Sequence, residues 1–363
     1  MKLRTGPVPG YILVVVCLIS VIFMYMELTV EVKSYAPYYD KKKKAAILTQ
    51  KLFTGIKDIR AARGLPIDHT NDPNGTGIIG VRHSEITTEA GDLNAKLTTT
   101  NPNFAAMIID ILIKAGVREK DVIAVSFSGS FPALNLMTIA AIETLDLEPI
   151  IITSVGSSMW GANEPEFTYP DMEKALFDAG LIKHRTDYAS IGGVDDTGRG
   201  LSIEGRDLIM DAIYRNKLPG IEANGLNHAI KTRIGIYKSL SRGKDIKAFV
   251  NIGGGAAALA GVNVDSGIVD PRKFSGHPGL VGEFLRTGIA VVNIEDIKNL
   301  SRKYNLPFAP APLPEIGAGK IFYEMRHSVV LASIFALILV LILFVILRLD
   351  MDYYLRALIK RHK

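Results

Sequence analysis

Two long apolar runs bracket this chain, one from Tyr11 to Met26 and one from Val329 to Leu347. Val8 and Leu28–Val30 extend the first, so the segment 8–30 approaches the roughly 20 residues that a helix needs to cross a bilayer core. Lys2 and Arg4 precede it as in a signal peptide. However, Tyr25-Met26-Glu27-Leu28 lacks the small residues of a cleavage site, which predicts an uncleaved signal anchor. The second run, 329–347, has Ser333 as its only polar residue, and a helix with no polar face predicts a second span.

With two spans, both termini lie on one side. Arg348, Arg356, Lys360, Arg361 and Lys363 in the tail 348–363, together with the basic leader, argue for cytoplasmic termini and an extracytoplasmic domain. Lys33 and Lys41–Lys44, in a basic juxtamembrane linker at 31–44, pull the other way. That run is expected to contact anionic lipid, with a polyanionic ligand as the alternative.

Between the spans the pattern is that of a globular domain, residues 45–309. Leu48, Leu52, Ile56 and Ile59 share one face of a helix over Ala45–Ala62, which Gly64 and Pro66 end. His69–Gly77, rich in Asn, Asp, Pro and Gly, reads as a loop. Asn101-Pro102 opens a helix over Asn103–Ala115, and Gly116 stops it. Short apolar runs then alternate with helical segments. Strands are predicted at Val122–Val125, Pro149–Thr153, Ala248–Ile252 and Ile289–Ile294, with helices to about Leu145, near Asp171–Ala179, after Gly255 and from Glu295. Continuously hydrophobic strands alternating with helices predict an α/β fold, a Rossmann-like, mostly parallel sheet between two transmembrane helices. Pro310-Ala311-Pro312-Leu313-Pro314 reads as a stiff linker, 310–328, into the second span.

Composition changes this picture little. The 363 residues are 48% hydrophobic with a net charge of +5, and the excess apolarity sits in the two end runs. No aromatic RNA-binding motif, zinc-finger spacing or basic helix accompanies the mild positive charge, so no nucleic-acid partner is expected. Cys17 is the one cysteine and lies inside the first span. The domain therefore has no disulfide, thiolate metal site or cysteine nucleophile, and leans toward an oxidising compartment.

Candidate chemistry follows the strands. In an open parallel sheet, ligands bind beyond the strand carboxyl ends. Three such loops are rich in small polar residues: Ser126-Phe127-Ser128-Gly129-Ser130, Ser154 to Asn163, and Asn251-Ile252-Gly253-Gly254-Gly255. Small residues let backbone N–H groups approach an anion. The predicted ligand-binding set is Ser126, Ser128, Gly129, Ser130 and Asn135 from the first region, Ser157, Ser158, Trp160 and Asn163 from the second, and Asn251, Gly253, Gly254 and Gly255 from the third. Asn163 and Ser158 flank Trp160, which reads either as a pocket wall or as a packing anchor.

Ser128 also stands as in a nucleophile elbow, with Ser126 and Ser130 in place of the usual glycines. Asp195 or Asp196, then His228 or His277, follow in the order of a hydrolase triad. Ser126, Ser128 and Gly129 alternatively match a sugar-isomerase phosphate loop, though Ser130-Phe131 stands where an acid and a threonine are usual. The Gly253–Ala258 stretch fits a dinucleotide pattern but lacks the acid about 20 residues on. The loop Ile191–Gly200 reads as a solvated turn, or as a cation site through its paired acids. GxxxxGK[ST], HExxH and CxxC are absent, no metal site is expected, and the sequence specifies no cofactor.

Four blocks carry a family resemblance: Ile86-Thr87-Thr88, Ser128-Gly129-Ser130-Phe131-Pro132-Ala133-Leu134-Asn135, Ser158-Met159-Trp160-Gly161-Ala162-Asn163 and Val250-Asn251-Ile252-Gly253-Gly254-Gly255. Over roughly residues 45–310 the chain resembles the poly-gamma-glutamate system protein family, a membrane-associated component found with bacterial genes for poly-γ-glutamate synthesis. The resemblance implies a role in making, exporting or retaining that polymer, with poly-γ-glutamate or its synthesis machinery as partner. It assigns no catalytic residue.

Overall fold

The computed structural model describes residues 6–274 and 276–349. Of the basic tail, Arg356, Lys360, Arg361 and Lys363 lie outside the described residues. The chain divides into two compact units, Ala36–Phe322 and the flanking segments up to Tyr35 and from Tyr323.

In the flanking unit, helices Gly10–Thr29 and Val329–Arg348 are long and apolar enough to cross a membrane, with only 6% of each apolar window buried. Phe23 and Phe335 stack between them at 4.4 Å. Strands β1, Glu31–Tyr35, and β8, Tyr323–His327, pair antiparallel from Glu31↔His327 to Tyr35↔Tyr323. These strands replace stretches that the sequence pattern leaves as linkers. Ser328 caps the second helix by accepting a hydrogen bond from Leu331 N–H.

The domain unit is an α/β structure around a mostly parallel six-stranded sheet. Its strands are β2, Val122–Ser128; β3, Glu148–Ser154; β4, Tyr188–Ser190; β5, Ile246–Ile252; β6, Gly267–Ile268; and β7, Ala290–Ile294. Their order is β4-β3-β2-β5-β7-β6, and only β6 runs antiparallel to its neighbour. All of β2 is buried, as expected of a central strand covered on both faces. The register runs from Val122↔Glu148 to Ser128↔Ser154 against β3, and Ser126 lies beside Asn251 of β5. From β2 the chain winds outward through β3 to β4, then returns to β5 on the other side. The β2/β5 boundary is thus the topological switch point, where an open sheet leaves a crevice.

The helix predicted from Ala45 begins earlier and spans Tyr39–Ala62. Lys41–Lys44 therefore form its first turns rather than a linker. Lys41 and Lys44 stay exposed, but Lys42 is buried, pairs with Asp110 at 2.9 Å and donates to the Ile321 carbonyl. The proline-rich stretch is likewise strapped to the domain: Asn74 Nδ2 donates to the Pro310 carbonyl, Asn103 Nδ2 donates to that of Glu315, and Phe322 is fully buried. Helices Leu93–Thr99, Ile203–Arg215 and Leu226–Leu240, which the sequence pattern did not mark, complete the layers. On one sheet face Phe249 stacks on Phe284 at 4.5 Å, and the Tyr237 hydroxyl donates to the Val125 carbonyl.

One glycine sets how closely two strand-end loops approach. A Cβ on Gly129 would overlap the Val155 carbonyl oxygen, which is backbone and cannot swing away. Gly129→Ala is expected to lower stability by at least about 1–3 kcal/mol, the usual cost of overpacking. Gly235, with open space around it inside helix Leu226–Leu240, is the control. Gly235→Ala should raise stability by about 0.5–1 kcal/mol. Urea midpoints of the two variants check both signs.

Candidate functional site

The carboxyl ends of β2, β3 and β5 converge on one cavity of about 260 Å³. Its walls are Ser128 and Ser130 after β2, Ser154 and Gly156 after β3, Gly254, Gly255 and Ala256 after β5, and Gly192, Gly193 and Val194 after β4. Thr88, Glu89 and Gly261 complete the lining. Three loops chosen from their small polar residues thus meet in space, and the Ile191–Gly200 loop joins them.

The remaining predicted residues tie these loops together. Gly129 N–H donates to the Ser154 carbonyl, and Ser157 Oγ donates back to the Gly129 carbonyl at 3.0 Å. Asn135, fully buried in helix Pro132–Leu145, donates to the Ser128 carbonyl. Asn163 makes a two-way bond with Val81 and also donates to Thr87 Oγ1, so its amide is consumed in clamping the segment before the site. Trp160, at a φ of 58°, exchanges backbone bonds with Gly80 and Val81, which makes it a loop anchor. Asn251 Nδ2 bridges the Gly253 carbonyl and Asn293 Oδ1. Gly253 turns at φ +84°, and a Cβ there would press on Ser128 Cβ at 3.2 Å. Ser126 is buried within β2, and Ser158 lies behind Ser130, donating its N–H to Ser130 Oγ.

The elements of a Ser–His–Asp triad are not brought together. His228 is exposed and accepts from Asn224 N–H, while His277 Nδ1 accepts from Gly279 N–H at the turn before helix Leu280–Arg286. Burial pushes the His277 imidazole below its usual range. Asp195 pairs with Arg199 in an exposed turn. Asp196 is buried against Arg233 at 2.8 Å and accepts from Ser154 and Ser190. Among the described residues no histidine hydrogen-bonds to Ser128, and no group of three acids or histidines could hold a metal ion.

Four charged residues at the site, Arg233, Glu295, Lys96 and the cavity-lining Glu89, escape the sequence reading. Arg233 sits with Ala229, Ile230 and Tyr237 on the buried face of its helix, a helical spacing that could have revealed it. It braces Ser154 and Ser190 at the ends of β3 and β4. Glu295 directly follows β7, so the strand-end rule could have found it. Lys96 gives no such signal. From the short helix Leu93–Thr99 its Nζ donates to the Ser130 carbonyl and to Ser158 Oγ, and lies 3.7 Å from the centre of the Phe131 ring. Burial lowers its pKa to about 7, against the pull of Glu89 and Asp92.

A wider groove of about 640 Å³ follows helix Ile203–Arg215, with Arg206, Asp207 and Tyr214 on its wall. Of the predicted site residues only Asp196 reaches it.

Two buried groups set opposite pH dependences. Lys96 keeps its proton to about pH 10.5 when unfolded but only to about 7 when folded. Between those values the unfolded chain binds more protons, so stability rises with pH. Burial raises the Glu173 carboxyl from 4.5 to about 7, so the folded chain binds more protons in that window and stability falls as pH rises. Each limb should have a slope of up to about 1.4 kcal/mol per pH unit. Lys96→Met should flatten only the limb above pH 7 and Glu173→Gln only the limb below it, read as denaturation midpoints across pH.

Comparison of the chain with family models, with curated proteins and with solved structures returns no match, so the reading of this site rests on its own geometry.

Proposed function

We propose that this chain is a membrane-anchored binding component of the bacterial cell envelope, serving the synthesis, export or retention of poly-γ-glutamate. Its Rossmann-like domain holds a ligand of that system at the strand ends, and both apolar helices span the cell membrane. Lys2, Arg4 and Arg348 with the rest of the basic tail favour cytoplasmic termini and an extracytoplasmic domain.

The observation that carries this reading is the convergence of the strand-end loops on a cavity whose lining includes Ser128, Ser130 and Gly254. Those loops overlap three of the four blocks on which the resemblance rests, and Thr88 of the fourth lines the same cavity. A binding role is favoured over hydrolysis because, among the described residues, Ser128 has no histidine to take its proton.

Deleting the gene should reduce surface-held polymer severalfold. A copy carrying Ser128→Val and Ser130→Val, made to the same level in the membrane, should fail to restore it. Unchanged amount, length and attachment of polymer in the deletion strain would refute the proposal.

A further inference from the structure

The charges around the cavity are unexpected for a polyanion site. Among the described residues no lysine or arginine lines it, and Glu89 is the only charged residue that does. Glu295 stands beside it: its Oε1 is 3.3 Å from where a Gly254 Cβ would lie. Burial raises the Glu295 carboxyl above its usual range, with repulsion from Glu89 and Asp296 adding to the effect. Among the described residues, neither Glu89 nor Glu295 has a cationic partner within salt-bridge distance.

The same cavity also offers donors. Ser128 and Ser130 are each only 5% exposed and line the cavity. Ser128 Oγ accepts from Ser130 N–H, and Ser130 Oγ accepts from Ser158 N–H. Neither hydroxyl proton finds an acceptor among the described residues. A buried hydroxyl without one is a cost that a ligand oxygen removes. The backbone N–H groups of Gly254 and Gly255 likewise have no acceptor among the described residues.

From this combination of unpaired hydroxyl donors and carboxylates we infer that the cavity binds the zwitterionic head of an α-amino acid, its carboxylate on Ser128 and Ser130 and its ammonium on Glu89 and Glu295. The inference rests on the binding role proposed above and specifies its ligand. The volume of about 260 Å³ is at the small end of ligand sites, enough for one amino-acid residue. A phosphate would face carboxylates with no cation in the cavity lining, since the buried Lys96 lies behind Ser130, already donating to the Ser130 carbonyl and Ser158. Internal residues of a γ-linked glutamate chain present only carboxylates and meet the same repulsion. Free glutamate and the amino-terminal residue of the chain each carry both charges on one carbon. The site therefore reads a monomer or a chain end, not the polymer's length.

Calorimetric titration of the full chain in lipid nanodiscs tests this. Glutamate or γ-glutamylglutamate should bind at least ten times more tightly than N-acetylglutamate, which lacks the ammonium, and than isoglutamine, which lacks the α-carboxylate. Their relative affinities separate monomer from chain end. Glu89→Gln, at an exposed position, should weaken the better ligand about tenfold, and Ser130→Ala should do the same through the carboxylate. Equal binding of N-acetylglutamate, binding of calcium ion alone that Glu89→Gln abolishes, or no binding by any of these compounds overturns the inference. Loss of polymer in the deletion strain would still stand in each of those cases, so the two proposals fail separately.

Discussion

The site depends on how closely the backbone after β2 can lie against the backbone after β3. Gly129 allows that approach, because any side chain there would occupy the place of the Val155 carbonyl oxygen. Once the loops touch, their polar groups satisfy one another: Gly129 N–H on Ser154, Ser157 Oγ on Gly129, Ala162 N–H again on Gly129, and Ser158 N–H on Ser130. Lys96 closes the same seam from behind, reaching the Ser130 carbonyl and Ser158 together. Much of the loop polarity is used in these ties, and the hydroxyls of Ser128 and Ser130 line the cavity. The hydroxyls of Ser128 and Ser130 are therefore chemically distinct from those of Ser157 and Ser158, although all four look alike in sequence.

Much of the fold was legible because a buried parallel strand must be apolar along its length. Thus β2, β3, β5 and β7 stood out, each recovered within a few residues of its limits. Within the six-stranded sheet the strands that escaped, β4 with 3 residues and β6 with 2, are too short to generate a period. Lys42 shows the limit of reading charge as exposure. Its run of four lysines suggests a solvated linker, yet helical geometry turns one of the four inward onto Asp110. The proline-rich stretch misleads similarly, since its backbone is held by Asn74 and Asn103 rather than left free.

At the site, position was legible and role was not. Small residues at strand ends pointed to the cavity, because the topology places those ends together whatever their detailed chemistry. Polarity alone could not separate lining residues from tying residues. Asn163, Asn135 and Asn251 attracted attention as polar groups, and the structure uses their amides to satisfy loop backbone. The converse holds for Glu89, which comes from a segment with no strand of its own and is held at the cavity by the pairing of Thr87 with Ser157 and by Met159 N–H donating to its carbonyl. The cavity thus combines a carboxylate from Glu89 with the hydroxyls of Ser128 and Ser130. That combination suits the proposed recognition of the charged end of a ligand better than the wrapping of a uniform polyanion.

The division between lining and tying serines is the central claim, and cysteine chemistry tests it directly. With Cys17→Ser removing the native thiol, Ser128→Cys and Ser157→Cys each supply a single reporter in the folded full chain. A small methanethiosulfonate should modify Ser128→Cys rapidly and leave Ser157→Cys untouched until the protein is denatured. Equal reactivity at the two positions, fast or slow, would contradict the account, because it would mean that the cavity does not separate these two hydroxyl positions.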